Sequence, residues 1–158
     1  MNLERLHQLF VYDASTGQLI NRISRGAALA GNIAGSLTCA GYLDTRVDGQ
    51  RIYIHRLIWM YVYGSLPTGV IDHINGVRDD NRIENLRDVS SVINGQNIKR
   101  AHSDSKLKFL GVARNHKRFG SQITVRGRYI YLGTFDTPEE AHNVYIKAKR
   151  SLHEGNTL

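Results

Sequence analysis

The chain has 158 residues, 41% hydrophobic and 22% charged, which allows one medium domain or two to three small modules and is ordinary for a soluble globular fold. No apolar run approaches the roughly 18 residues of a membrane span, and no signal peptide is visible, so a cytoplasmic protein with no membrane partner is expected. A formal net charge of +7 points to a polyanionic partner, while the single cysteine, Cys39, excludes an internal disulfide and a cysteine-based zinc finger.

Residues 1–54 read as a small α+β support unit. Leu3, Leu6, Leu9 and Phe10 recur with helical spacing. Asp13 to Gly17 is a turn cluster, 18–23 a short strand, and the Ala- and Gly-rich stretch 26–35 irregular. Residues 41–47 and 50–54 alternate in polarity on either side of Asp48-Gly49, the signature of a hairpin. An apolar helix follows over 55–63, with Gly64 at its C′ position and Pro67 beyond. His55 at its start is either one more ligand or a structural or phosphate-contacting residue.

Residues 55–100 carry the densest chemistry. Val70-Ile71-Asp72-His73 reads as a strand, Asn75-Gly76 as a turn, and Leu86-Arg87-Asp88-Val89 as a returning strand. Ser90 or Ser91 can cap a helix over about 92–100, with Asn94 in its first turns and Asn97 one turn on. One carboxylate beside one imidazole, with asparagines spaced around them, suits metal-assisted cleavage of a phosphodiester. A histidine with a pKa near the usual value of about 6.5 can take the proton of the attacking water. A hard cation with oxygen ligands stabilises the charge that grows on the phosphate and on the leaving oxygen. Asp72 and Asn94 are the expected ligands and His73 the base, with Asn85 fixing its tautomer. Asn81 is either a turn residue closing the loop on Asp79 and Asp80 or a supporting one. Oxygen ligands favour Mg²⁺ or Mn²⁺ over Zn²⁺.

Asp-His-Ile-Asn-Gly at 72–76, Asp-Asn-Arg at 80–82, Glu-Asn-Leu-Arg at 84–87 and Asn-x-x-Asn at 94–97 together resemble the HNH endonuclease motif of the phage and homing type. His-Arg-Leu at 55–57 and the helix after it are similar to the same subgroup. The resemblance implies a ββα-metal finger, His73 as general base, Asp72 and Asn94 as metal ligands, Asn85 as the residue orienting His73, and, for a phage-encoded chain, work in the host cytoplasm. Asn94 stands where the family commonly has histidine.

The positive charge is concentrated. Between Gly95 and Arg128 nine basic residues face the single acid Asp104. Residues 101–109 read as a basic linker. Residues 110–158 read as three strands and a helix, with Thr137-Pro138-Glu139-Glu140 as a capping box with Pro at the first helical position. Period two places Val112, Ile123, Val125, Ile130 and Leu132 inward. Ala141, Val144, Tyr145, Ala148 and Leu152 mark the helical face that covers the sheet. Gly111-Val112, Phe119, Ile123, Leu132-Gly133-Thr134-Phe135, Thr137, Glu139-Glu140-Ala141 and Tyr145 resemble the plant ethylene-response-factor DNA-binding domain. That resemblance implies DNA contacts from the strands.

The expected fold class is therefore α+β: an N-terminal helix and β-hairpin unit, a ββα-metal finger, and a C-terminal three-stranded antiparallel sheet packed on one helix. The expected partner is double-stranded DNA, held by Lys99, Arg100, Arg114, Asn115, Lys117, Arg118, Gln122, Thr124, Arg126, Arg128, Tyr129 and Tyr131. His55, Asn81 and Asn97 are expected in support. One active site per chain implies nicking, so a double-strand break needs a homodimer on DNA or two sequential events. The rival readings are a binding-only DNA protein with a decayed finger, and an RNA-directed protein, which a strand ribbon suited to the B-form major groove disfavours.

Overall fold

A computed structural model describes residues 1–101 and 105–157. The fold is mixed α+β, with four α-helices and several small antiparallel sheets among the described residues. The chain forms two compact units, Met1–Ser91 and Val92–Leu158.

In the first unit, helix α1 (Leu3–Leu9) starts at Asn2, whose side chain accepts the Arg5 N–H at 2.9 Å. It buries Leu6 and Leu9, two of the residues that suggested it. Phe10 leaves the helix and opens β1 (Phe10–Asp13), which pairs with β2 (Gln18–Asn21). The turn between them is drawn together by the Asp13 carboxylate, which accepts from the Ser15 and Thr16 hydroxyls. A second sheet has the order β3 (Ser36–Leu37), β4 (Leu43–Val47), β5 (Gln50–Tyr53), and Asp48 and Gly49 at its hairpin tip both have positive φ, as the dipeptide predicts. Helix α2 (Ile54–Tyr63) ends on Gly64 at φ 77°, whose N–H bonds Met60.

Strands β6 (Val70–His73) and β7 (Leu86–Val89) form the expected hairpin, with Asp72 opposite Arg87 and His73 opposite Leu86. Asp88 latches the approach to β6, accepting from the Thr68 N–H, the Thr68 hydroxyl and the Gly69 N–H at 2.7–2.9 Å. One core serves the whole unit: Leu6, Leu9, Phe10 and Leu19 pack in the same cluster as Leu57 and Ile58 of α2 and Ile71 and Leu86 of the hairpin. The N-terminal residues and the hairpin thus stabilise each other by shared burial.

The second unit starts inside α3 (Ser91–Gln96), which is shorter than the helix expected over 92–100. A sheet of β8 (Val112–Asn115), β9 (Arg118–Val125) and β10 (Arg128–Phe135) in the order β10-β9-β8 packs against α4 (Pro138–Leu152). The capping box at Thr137 and Glu140 is present as expected. Two inward assignments are corrected. Ile130 is 36% exposed and Leu152 is 41% exposed. On the last turns of α4 the buried residue is instead Lys149, which a pattern of apolar residues cannot find. Residues 102–104 of the expected linker lie outside the described residues. Among the described residues no helix is long and apolar enough to cross a membrane.

Candidate active site

The hairpin sets the geometry. Asp72 and His73 are adjacent on β6, so their side chains leave opposite faces of the strand. The Asp72 Oδ2 accepts both Nε and Nη2 of Arg87, at 2.9 and 2.7 Å, across the ladder. Arg87 was not among the expected site residues, although the two expected strands, once paired, place it opposite Asp72.

The loop from Ile74 to Asn85 is a lattice of side chain to backbone bonds. Gly76, at φ 76°, returns its N–H to the His73 carbonyl at 2.8 Å. The Asn75 side chain accepts from the Val77 N–H at 2.8 Å and donates to Asp80 at 2.7 Å. Asp80 also accepts a two-pronged bond from Arg82 at 2.8 and 2.7 Å, and this hydrogen bonding holds its carboxyl down at about 2 against the opposing effect of burial.

The role expected of Asn85 falls to Asn81, whose side-chain nitrogen also closes the loop on the Asp79 carbonyl at 3.2 Å. The His73 Nε2 lies 3.1 Å from the Oδ1 of Asn81, which is 1% exposed. The Asn85 amide bonds elsewhere: its oxygen accepts the Asn75 N–H at 2.9 Å, and its nitrogen donates to the Asp80 carbonyl at 2.8 Å. Asn85 therefore staples the two ends of the loop and makes no hydrogen bond to the imidazole, while Asn81 orients it. An amide oxygen at Nε2 accepts the ring N–H, which assigns the neutral tautomer with its proton on Nε2 and its lone pair on Nδ1. Burial depresses the His73 pKa, and the Asn81 bond and the charges of Asp72, Asp80 and Asp79 oppose that shift.

The N-terminal hairpin holds Asn81 from below. The Tyr12 hydroxyl donates to the Asn81 carbonyl at 3.4 Å and accepts the Ile83 N–H at 2.9 Å. Gly17, at φ 74°, approaches so closely that a Cβ there would stand 2.5 Å from the Arg82 nitrogen and 2.7 Å from the Asn81 carbonyl carbon. Neither Tyr12 nor Gly17 carries a local signature of this role, because the contact joins residues some 70 positions apart in sequence.

His55 is buried beside His73. Its ring stacks on Tyr53, with centroids 5.3 Å apart, and meets the His73 ring edge-on, also at 5.3 Å. Burial, with His73 and Arg56 nearby, pushes its pKa down to about 4. A neutral His55 adds no positive charge beside His73.

Asn94 is exposed on α3, in the second unit, while Asp72 and His73 belong to the first. No cluster of three or more His, Cys, Asp or Glu side chains that could hold a metal occurs among the described residues. The donor chemistry of the expected pair still suits a hard cation: one carboxylate and one amide oxygen are what an ion that keeps most of its waters requires. Asn97 is buried, takes the Thr157 hydroxyl on its side-chain oxygen, and bonds the Asn94 carbonyl through its N–H at 3.0 Å.

The expected nucleic-acid residues distribute over the second unit. Lys99 and Arg100 follow α3, Arg114 and Asn115 end β8, and Lys117 sits in the β8–β9 turn. Arg118, Gln122 and Thr124 are on β9, and Arg128, Tyr129 and Tyr131 on β10. Tyr129 and Tyr131 are 63% and 59% exposed and stand opposite Thr124 and Gln122 in the register, so these four share one face. Arg118 pairs with Asp136 at 2.8 Å, and Arg126, in the β9–β10 turn, with Glu154 at 2.7 Å.

This geometry can be set beside known proteins. Residues 52–96 match the family model described as HNH endonuclease. The matched segment runs from the end of β5 through α2 and the β6–β7 hairpin to the end of α3, and so contains Asp72, His73, Asn81, Asn85, Arg87 and Asn94. It covers less than a third of the chain and leaves the sheet of the second unit outside. No match was found among curated proteins or among solved structures.

Proposed function

We propose that the chain is a metal-dependent DNA endonuclease of the HNH type, hydrolysing phosphodiester bonds with His73 as general base. The observation that carries the reading is the Asn81–His73 contact inside a segment similar to HNH endonucleases: a buried amide oxygen takes the Nε2 proton, which makes Nδ1 the basic nitrogen of the neutral ring. Depression of the His73 pKa keeps the ring neutral, the form able to accept a proton.

Asp72 and Asn94 would hold a divalent cation, Mg²⁺ or Mn²⁺. When bound, that ion supplies charge stabilisation to the phosphate and to the leaving 3′ oxygen. Arg87 orients the Asp72 carboxylate by occupying Oδ2 from one side. His73 is 4% exposed, so access of a phosphodiester to its ring requires local movement of the residues that cover it.

The basic second unit supplies the grip on DNA. Arg128 adds an exposed guanidinium at the start of β10, and the exposed Tyr129, Tyr131 and Thr124 offer rings and a hydroxyl on one face of a strand ribbon of a size that fits a major groove. This face has the role that strands play in the plant domain it resembles. The test is incubation of supercoiled plasmid with the purified chain and Mg²⁺. Conversion to nicked or linear DNA that a chelator stops supports the reading. Unchanged plasmid with a retained gel shift would favour a binding-only protein.

A further inference from the structure

The helix that carries Asn94 is a weak structure by itself. It has six residues and buries none of them, and isolated helices shorter than about 12 residues are marginal in water. Its position must come from what holds it, and within the second unit the ties converge on its C-terminal end. The Gln96 side-chain oxygen accepts the Gly155 N–H at 2.9 Å. The Asn97 side chain takes the Thr157 hydroxyl, and Lys99 reaches the Thr157 carbonyl at 3.4 Å. Lys149, 1% exposed on α4, donates its ammonium to the Ile98 carbonyl. Gly155 itself is buried so tightly on the helix that a Cβ would meet the Ile93 carbonyl oxygen at 2.3 Å and the Gln96 Cβ at 3.1 Å.

We propose that Gly155 to Thr157, together with Lys149 of α4, are the positioning element for Asn94: they clamp α3 to the helix that backs the DNA-reading sheet, so the metal-ligating amide moves as part of the reader. The proposal rests on Asn94 being a metal ligand. Its consequence is that the tail acts on metal use and not on DNA affinity. An amide displaced with its helix binds the cation less well, and loss of such an orienting contact typically weakens metal affinity or activity by about 10- to 100-fold. Two properties of the clamp favour positioning over simple stability. Its Gly155 to Thr157 part lies past the end of α4, where the sheet and helix are already complete, and it grips the turn directly after Asn94.

Three full-length variants test this: Asn94→Ala, Gly155→Ala and the milder Gln96→Ala, compared by plasmid nicking over a Mg²⁺ titration, gel shift and thermal unfolding. The expected result is that Gly155→Ala raises the half-saturating Mg²⁺ concentration about tenfold or more. Gln96→Ala should raise it by less, high Mg²⁺ should restore cutting in both, the gel shift should stay at wild type in both, and the unfolding temperature should stay at wild type in Gln96→Ala. Impaired metal use in Asn94→Ala with wild-type metal dependence in both clamp variants would overturn the clamp and leave the ligand assignment standing. Wild-type metal dependence in Asn94→Ala would overturn the ligand assignment and the clamp with it. Loss of DNA binding in step with activity in both clamp variants would show a structural role only and overturn the proposal.

Discussion

The loop from Ile74 to Asn85 and the sheet face of β9 and β10 are both rich in polar side chains, yet they use them in opposite ways. In the loop, Asn75, Asp80, Asn81 and Asn85 bond the backbone and one another, and Asn81 and Asn85 are buried. On the sheet, Thr124, Arg128, Tyr129 and Tyr131 are exposed. A group that must take a proton at one fixed point needs its neighbours ordered in advance, because a misplacement of about 1 Å can cost 100-fold in rate. A surface that meets a duplex needs charge and contact area, with its polar atoms still available to a partner. The contrast predicts that substitutions in the loop act on folding and catalysis, and substitutions on the sheet act on binding alone.

The largest effect is expected beneath the loop. Gly17→Ala introduces left-handed strain and a Cβ inside contact distance of the Asn81–Arg82 backbone. The two together should cost about 2–6 kcal/mol, read by chemical denaturation, with cutting lost alongside. Retained stability and activity would show that the N-terminal hairpin does not support the loop.

Asn81 and Asn85 sharpen the comparison within the loop itself. Asn81→Ala removes the acceptor on His73 and should lower the cutting rate by about 100-fold. Asn85→Ala leaves the Asn75 N–H and the Asp80 carbonyl without their partner and should cost about 1–3 kcal/mol, seen first as a lowered unfolding midpoint. The opposite pattern, with Asn85→Ala the catalytic variant at full stability, would restore the role first expected of Asn85.

His55 makes the first unit acid-sensitive. Its folded pKa of about 4 lies below the ordinary histidine value of about 6.5, so the unfolded chain binds the proton more readily between those two values. Stability is at its full value above about pH 6.5 and falls as the pH drops towards 4, by on the order of 3 kcal/mol. Unfolding followed across that range should show the slope in wild type and a much flatter one in His55→Phe. Equal slopes would mean that His55 is not the buried neutral group.

The smallest effect on the fold is expected from the sheet. Arg128→Ala should leave the unfolding temperature unchanged while weakening DNA binding and reducing the steepness of its salt dependence by about one unit. An unchanged salt slope would take Arg128 off the DNA path.

Local patterns carried most of the fold. The β6 and β7 limits, the Gly64 cap and the capping box at Thr137 were all readable because each depends on residues a few positions apart. The spaced motif likewise brought out Asp72, His73, Asn81 and Asn85 as a group. What was not readable is which amide meets the imidazole. Asn81 and Asn85 are chemically identical and four residues apart, and the Ile83–Asn85 helical turn between the loop and β7 decides which one faces the ring. Tyr12, Gly17 and Lys149 were missed for a different reason. Each acts across a long separation, and a buried lysine or a tyrosine hydroxyl under a distant loop leaves no periodic trace.

The most direct measurement of the central claim is cutting by His73→Ala in parallel with gel shift on the same DNA. A base oriented by Asn81 predicts that Mg²⁺-dependent nicking falls by at least about 100-fold while the shift stays within a few-fold of wild type. Nicking by His73→Ala at the wild-type rate would contradict the account.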